Sequence, residues 1–233
     1  MQKLINKLNE LKEKYPIHEH FDWGFPSNTP IDISQNIKSN YVKNIYLKEN
    51  FTIALENDIN LKNHYWIIQE WGGIKSLKQN NKNDEKIIKF KKQLEKNELT
   101  KETFGLISSF SKIASFMKPD KYAIYDSRAI YSLNWLLLNY INETELYPQP
   151  SGRNPKLSMY DMQTIIRLTN KGHSYKSHKI AYHDYCNLLI DLSKKIYNDN
   201  RPYQIEMLLF ILAPIEIIEN IKSTVEIKIH PCE

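Results

Sequence analysis

Cysteine is nearly absent: the 233-residue chain has two, Cys186 and Cys232. Two thiols build neither a disulfide framework nor a four-cysteine metal cluster, and a reducing cytoplasm is the expected setting. Glycine is scarce, at six, and proline stands at ten, which argues against a β-rich or disordered chain. No apolar run reaches transmembrane length: NWLLLNYI (134–141) and MLLFILAPI (207–215) are too short, so no membrane partner is expected. The N-terminal MQKLINKLNELKEKYP is amphipathic and lacks the apolar stretch of a signal peptide. Arginine supplies four of the 32 cations. The lysines occur beside many asparagines, as in an AT-biased genome, so their number carries no functional weight. The net charge of +5 permits an anionic partner without requiring one. There is no phosphate-cradling glycine loop and no Gly-x-Ser-x-Gly.

Apolar residues make up 41% of the chain and charged residues 25%. That composition supports a globular core, as one helical domain over 1–233 or two subdomains with a cleft between them. Leu4, Ile5, Leu8 and Leu11 recur at helical spacing, and Pro16 ends that helix. Residues 16–36 hold three prolines and read as a loop; 40–56 fit helix or strand. A helix through Trp66, Ile67 and Glu70 stops at Gly72-Gly73. Further helices are expected over 84–97, over 100–118 with a break near Gly105, and over 127–141. A long loop spans 142–156. Helices follow over 158–170 and 178–198, and a last one is kinked at Pro214; STVEIKIHPCE could add a short strand. The class is mainly α.

One stretch, SFSKIASFMKPDKYAIYDSR (109–128), stands apart. Ser108 or Ser109 can cap a helix beginning near Phe110, which puts Lys112 in its first turn. There the helix dipole disfavours an ammonium and unsatisfied amides can receive a phosphate. Pro119 stops that helix and KYAIY returns the chain. Asp126 then sits at the N-cap of SRAIYSLNWLLLNY, held and ionised. Lys112 and Asp126, from consecutive helices, are therefore expected to open on one cleft.

This bracket resembles the helix-hairpin-helix DNA glycosylases, in particular the bacterial proteins described as 8-oxoguanine DNA glycosylase-like. The matching residues are Ser108-Ser109-Phe110-Ser111-Lys112, Ala114, Phe116 and Tyr125-Asp126-Ser127-Arg128. The likeness covers roughly residues 63–140, and places the helix-hairpin-helix region at about 84–140. Ser108 and Phe110 stand where the family hairpin usually has glycines, and the lysine-to-aspartate spacing is shorter than usual.

The resemblance implies a cofactor-free, monomeric enzyme that excises a damaged or modified base from double-stranded DNA after flipping it out. The base is oxidised guanine or a modified base of foreign, phage DNA. Asp126 would stabilise the oxocarbenium-like transition state or activate water. Lys112 would attack the sugar carbon, giving strand cleavage as well, or contact phosphate or base. Trp71, Trp23 and Phe25, with Trp135 a fourth candidate, offer walls to a flipped base. Ser108, Ser109, Ser111, Lys118, Lys121, Arg128 and Arg153 offer contacts to DNA, with Lys156 beside Arg153. The rival classes are a non-catalytic helical DNA-binding module and a nuclease of a phage-defence system. Metal ligation by His173, His178, His183 and Cys186, or by His18, His20 and Asp22, lacks ligand spacing, so no metal is expected. RLTNKGH misses an Arg-x4-His ribonuclease signature by one residue.

Overall fold

A computed structural model describes residues 1–142, 145–152, 154–168 and 172–226. The fold is mainly α. It begins with α1 (Gln2–Lys14), α2 (Ile17–His20), α3 (Asn40–Asn50), α4 (Thr52–Glu56) and α5 (Lys62–Trp66). There follow α6 (Asn81–Glu95), α7 (Lys101–Phe104), α8 (Ile107–Met117) and α9 (Ser127–Leu136). After α9 come α10 (Pro155–Met159), α11 (Met162–Leu168), α12 (Ala181–Tyr197), α13 (Tyr203–Leu212) and α14 (Ile218–Thr224). Two short strands, β1 (Glu145–Leu146) and β2 (Ser174–Tyr175), pair in parallel, with Glu145 opposite Ser174. Among the described residues, no helix is long and apolar enough to cross a membrane.

The apolar positions that predict α1 are its buried ones, Leu4, Ile5, Leu8 and Leu11. Residues 40–56, which fit helix or strand, form α3 and α4; Ser39 caps α3 through Val42 N. The break near Gly105 separates α7 from α8. The long loop of 142–156 is partly regular: it carries β1, and α10 starts at Pro155 with Asn154 as its cap. The end of STVEIKIHPCE lies outside the described residues.

Among the described residues, three helices widen into a π turn. One continues α5 over Ile67–Trp71, one continues α9 over Leu137–Ile141, and one continues α13 over Ala213–Ile217. The last contains Pro214: a wide turn accommodates its ring and missing N–H, so the chain stays helical into α14. The first carries Gly72 N to Ile67 O, 2.8 Å away and five residues back.

One large cluster of buried side chains draws on α1, α2, α5, α6 and α8 through α14. Within it, α9 packs most extensively on α13. Residues Ala129 to Leu138 of α9 and its extension are all buried, which is why that segment is apolar on every side. A smaller cluster, Leu47, Phe51, Leu55, Ile67, Trp71, Phe116 and Ile124, joins α3, α4 and α8.

Two buried histidines make stability depend on pH. His183 on α12 is 8% exposed, its Nε2 has no hydrogen-bond partner among the described residues, and burial beside Lys121 lowers it to about 4. Burial also lowers His64, whose Nδ1 lies 2.7 Å from Asp58. A histidine depressed in the native state binds more protons when unfolded, so stability falls as pH drops from about 6.5 towards 4. For His183 the loss at pH 4.5 is about 2–3 kcal/mol. Urea unfolding at pH 7 and pH 4.5 should therefore show a smaller acid loss in His183→Phe than in wild type; equal losses would refute this.

Candidate functional site

α8 begins at Ile107, with Leu106 as an N-cap that lends no side chain. Ser109 N and Phe110 N are taken up by Leu106 O at 2.9 and 3.0 Å. Lys112 therefore sits in the second turn rather than the first, and the dipole argument for its placement does not apply. The early start follows from burial: Ile107, Phe110, Ile113 and Ala114 all enter the core, which outweighs capping by serine. Lys112 Nζ donates to Ser108 O of its own helix at 2.6 Å.

The stem of Lys112 lies against Gly72. A Cβ on Gly72 would stand 2.7 Å from Lys112 Cδ and 2.8 Å from its Cε. Gly73, in contrast, has φ +66° and supplies the turn. The two glycines thus do different work: one bends the chain and the other makes room for the lysine.

From Lys118 the chain returns through Tyr122–Tyr125, pinned by Tyr125 N to Ser111 Oγ at 2.9 Å. Asp126 caps α9, with Oδ1 accepting from Arg128 N at 2.7 Å. Lys112 and Asp126 both line one cleft of about 840 Å³. Its walls include the aromatic residues Phe21, Trp23, Trp71, Phe104 and Phe210. Such a volume suits a small organic ligand, about 300–1,000 Å³.

The expected site residues divide. Asp126, Lys112, Ser108, Ser109, Arg128, Trp71 and Trp23 line the cleft. Arg128 spreads over Phe210, 4.5 Å from the ring centre. Trp71 is anchored through its indole N–H to Asn44 Oδ1 at 2.6 Å, and Trp23 donates to Trp71 O at 2.9 Å. Ser111 is closed to solvent and holds the return segment, so it faces no DNA. Phe25 packs on the smaller cluster, under Lys43, outside the cleft lining. Lys118 and Lys121 are exposed on the turn before the return, also outside it. Trp135 is a core residue bonded to Asn220. Arg153 lies outside the described residues; Lys156 is exposed at α10.

Sequence reasoning missed Glu206. This first-turn residue of α13 is 4% exposed and lines the cleft. Its Oε2 accepts from Ile124 N at 3.2 Å and lies 3.6 Å from Lys48 Nζ, itself fully buried on α3. Lys48 Nζ also donates to Ser115 Oγ, which donates to Lys112 O. Burial raises the Glu206 carboxyl; Lys48 and the Ile124 amide pull it back, while the charge of Asp126 adds to the rise. Burial lowers Lys48, against the attraction of Glu206. The signal was a lone carboxylate within the apolar run QIEMLLFILAPI. The long loop expected over 142–156 also reaches the cleft, through Gln149 and Gly152 among others: Gln149 Nε2 donates to Ser127 O at 2.7 Å, and a Cβ on Gly152 would meet Ser127 Oγ at 2.5 Å.

The cleft therefore offers one ammonium, one half-buried carboxylate, one deep carboxyl and several aromatic faces. That set can stack a planar ring and stabilise positive charge developing beside it. Comparison of the chain with protein-family models, with curated proteins and with solved structures gives no match.

Proposed function

We propose that the protein is a DNA glycosylase of helix-hairpin-helix type, which excises a damaged or modified base from DNA by hydrolysis of the N-glycosidic bond. One observation carries the reading: Lys112 and Asp126, 14 residues apart in sequence, line the same aromatic-walled cleft. A base inside a duplex is out of reach, so the enzyme takes an extruded nucleotide. Trp71, Trp23 and Phe210 are the faces on which it stacks. Asp126 is fixed by its capping bond and faces the sugar, where positive charge develops as the base departs. Ser108, Ser109 and Arg128 border the same opening and serve the flanking phosphates. The substrate base is oxidised guanine or a modified base of foreign DNA.

The test is free-base release, read by mass spectrometry, from genomic DNAs of differing modification. Release from one of them, with abasic sites left behind, is the expected result; DNA binding that weakens with salt and yields no base would favour a non-catalytic module. Lys112→Gln is expected to lower the rate roughly 10²-fold, the scale of one lost electrostatic contact to the transition state. Borohydride assigns the role of the amine: a trapped adduct that disappears in Lys112→Gln marks attack on the sugar carbon. Base release without an adduct marks water as the nucleophile.

A further inference from the structure

The excision reading leaves one buried acid of the cleft unused. Glu206 is held in place on two sides, by Ile124 N at 3.2 Å and by Lys48 at 3.6 Å. Ile124 stands two residues before Asp126 on the extended return. The amide that fixes Glu206 and the carboxylate that caps α9 thus belong to one rigid segment. Both carboxyls line the cleft.

We propose that Glu206 is a second catalytic group of this cleft, the proton donor to the departing base, working beside an ionised Asp126. The proposal rests on the excision reading. Two carboxyls lining one cleft do not ionise independently, and the first proton settles on the less hydrated one. Glu206 is the deeper of the two, at 4% exposure, while Asp126 is partly open and accepts a backbone N–H. Paired carboxyls in unlike surroundings divide acid and anion roles in this way.

The charged and titratable groups facing Glu206 come from several elements. Lys48 of α3 and Lys112 of α8 favour its anion, and Asp126 of the return favours its acid. Tyr185 and Cys186 of α12 feel its charge. Arg128 of α9 borders the same cleft over Phe210. Burial is the largest influence on Glu206 and raises it. An inserted base displaces water and brings phosphates closer, and both changes push further the same way.

The step balances with water as the sole co-reactant. The C1′–N bond breaks and its electron pair passes to the base nitrogen. The Glu206 carboxyl proton goes to the departing base. Water adds its oxygen to C1′ and returns a proton to the Glu206 carboxylate, restoring the acid. Asp126 remains an anion throughout, facing the oxocarbenium.

The experiment is single-turnover base release against pH, for wild type and Glu206→Gln, on two substrates. One carries a base that needs a proton to leave; the other carries a ring with electron-withdrawing substituents that leaves as its anion. Glutamine preserves an acceptor for Ile124 N, so a merely structural role survives the change. Glu206→Gln should be slowed about 10²-fold or more on the first substrate. It should stay within severalfold of wild type on the second, and lose the fall in rate that wild type shows at high pH. Equal slowing on both substrates, or an unchanged pH profile, would overturn the donor role.

A carbon-13 titration of the glutamate carboxyls separates the two ideas. The resonance missing from Glu206→Gln should titrate above the other glutamates, and at lower pH in Asp126→Asn. Base release together with an ordinary Glu206 titration overturns the donor role alone. No base release from any DNA overturns the excision reading, and the donor role with it.

Discussion

Asp126→Asn is expected to lower base release by about 10²–10³-fold while the protein stays folded. Asparagine accepts the Arg128 amide as aspartate does, and the two are equal in rank as N-caps. The change removes a charge and little else. Its cost to stability is the lost attraction between carboxylate and helix N-terminus, roughly 0.3–1 kcal/mol. Its cost to the reaction is larger, because the oxocarbenium-like charge of the proposed reaction then develops against a neutral amide. Rates on modified DNA, together with thermal midpoints, decide the matter. Wild-type base release by Asp126→Asn would remove the aspartate from the chemistry and leave it a cap.

Lys48→Met should cost the fold about 3–5 kcal/mol at alkaline pH, where Glu206 is an anion. For a chain of this length that is roughly a 10 °C fall in the thermal midpoint. Lys48 is fully buried, and its ammonium lies 3.6 Å from Glu206, against the rings of Phe116 and Tyr203. Methionine fills the space but leaves the Glu206 anion without its counterion. The pH dependence has a definite sign. A carboxyl whose native pKa is raised binds more protons folded than unfolded, so stability falls as pH climbs above the ordinary carboxylate range. Removing Lys48 raises Glu206 further, so the loss should be small near pH 5 and grow towards pH 8. The double variant Lys48→Met/Glu206→Leu should recover most of the stability, because a buried pair replaced by apolar groups of similar size is close to neutral. Urea titrations at the two pH values test this; a pH-independent loss would show that the pair carries no charge in the native state.

The two variants probe different levels of the same structure. Asp126 lines the cleft and, in the proposed reaction, faces the substrate. Lys48 lies behind the wall, where it balances Glu206 and, through Ser115, reaches the backbone of Lys112. Gly72 belongs to this second level as well, because its missing side chain leaves the channel that the lysine stem fills.

The sequence by itself determined the helical class, the burial of the apolar face of α1 and of 129–138, the break at Gly105, and Asp126 as a helix cap. Each of these is written within a few consecutive residues: an apolar period, a glycine, or a short polar side chain before an apolar run. It also led to the expectation that Lys112 and Asp126, from consecutive helices, open on one cleft, which both of them line. Only the tertiary structure decided what surrounds them. It started α8 at Ile107, because core burial outweighed serine capping, and so moved Lys112 out of the first turn. It turned Ser111 and Phe25 away from the cleft, and brought in Phe210 and Glu206. Glu206 meets Ile124 across 82 positions of chain, and Lys48 meets Ser115 across 67. Separations of that length leave no local pattern to read, because they are set by how α13 and α3 pack around α8 and α9 and not by any one segment's own preference.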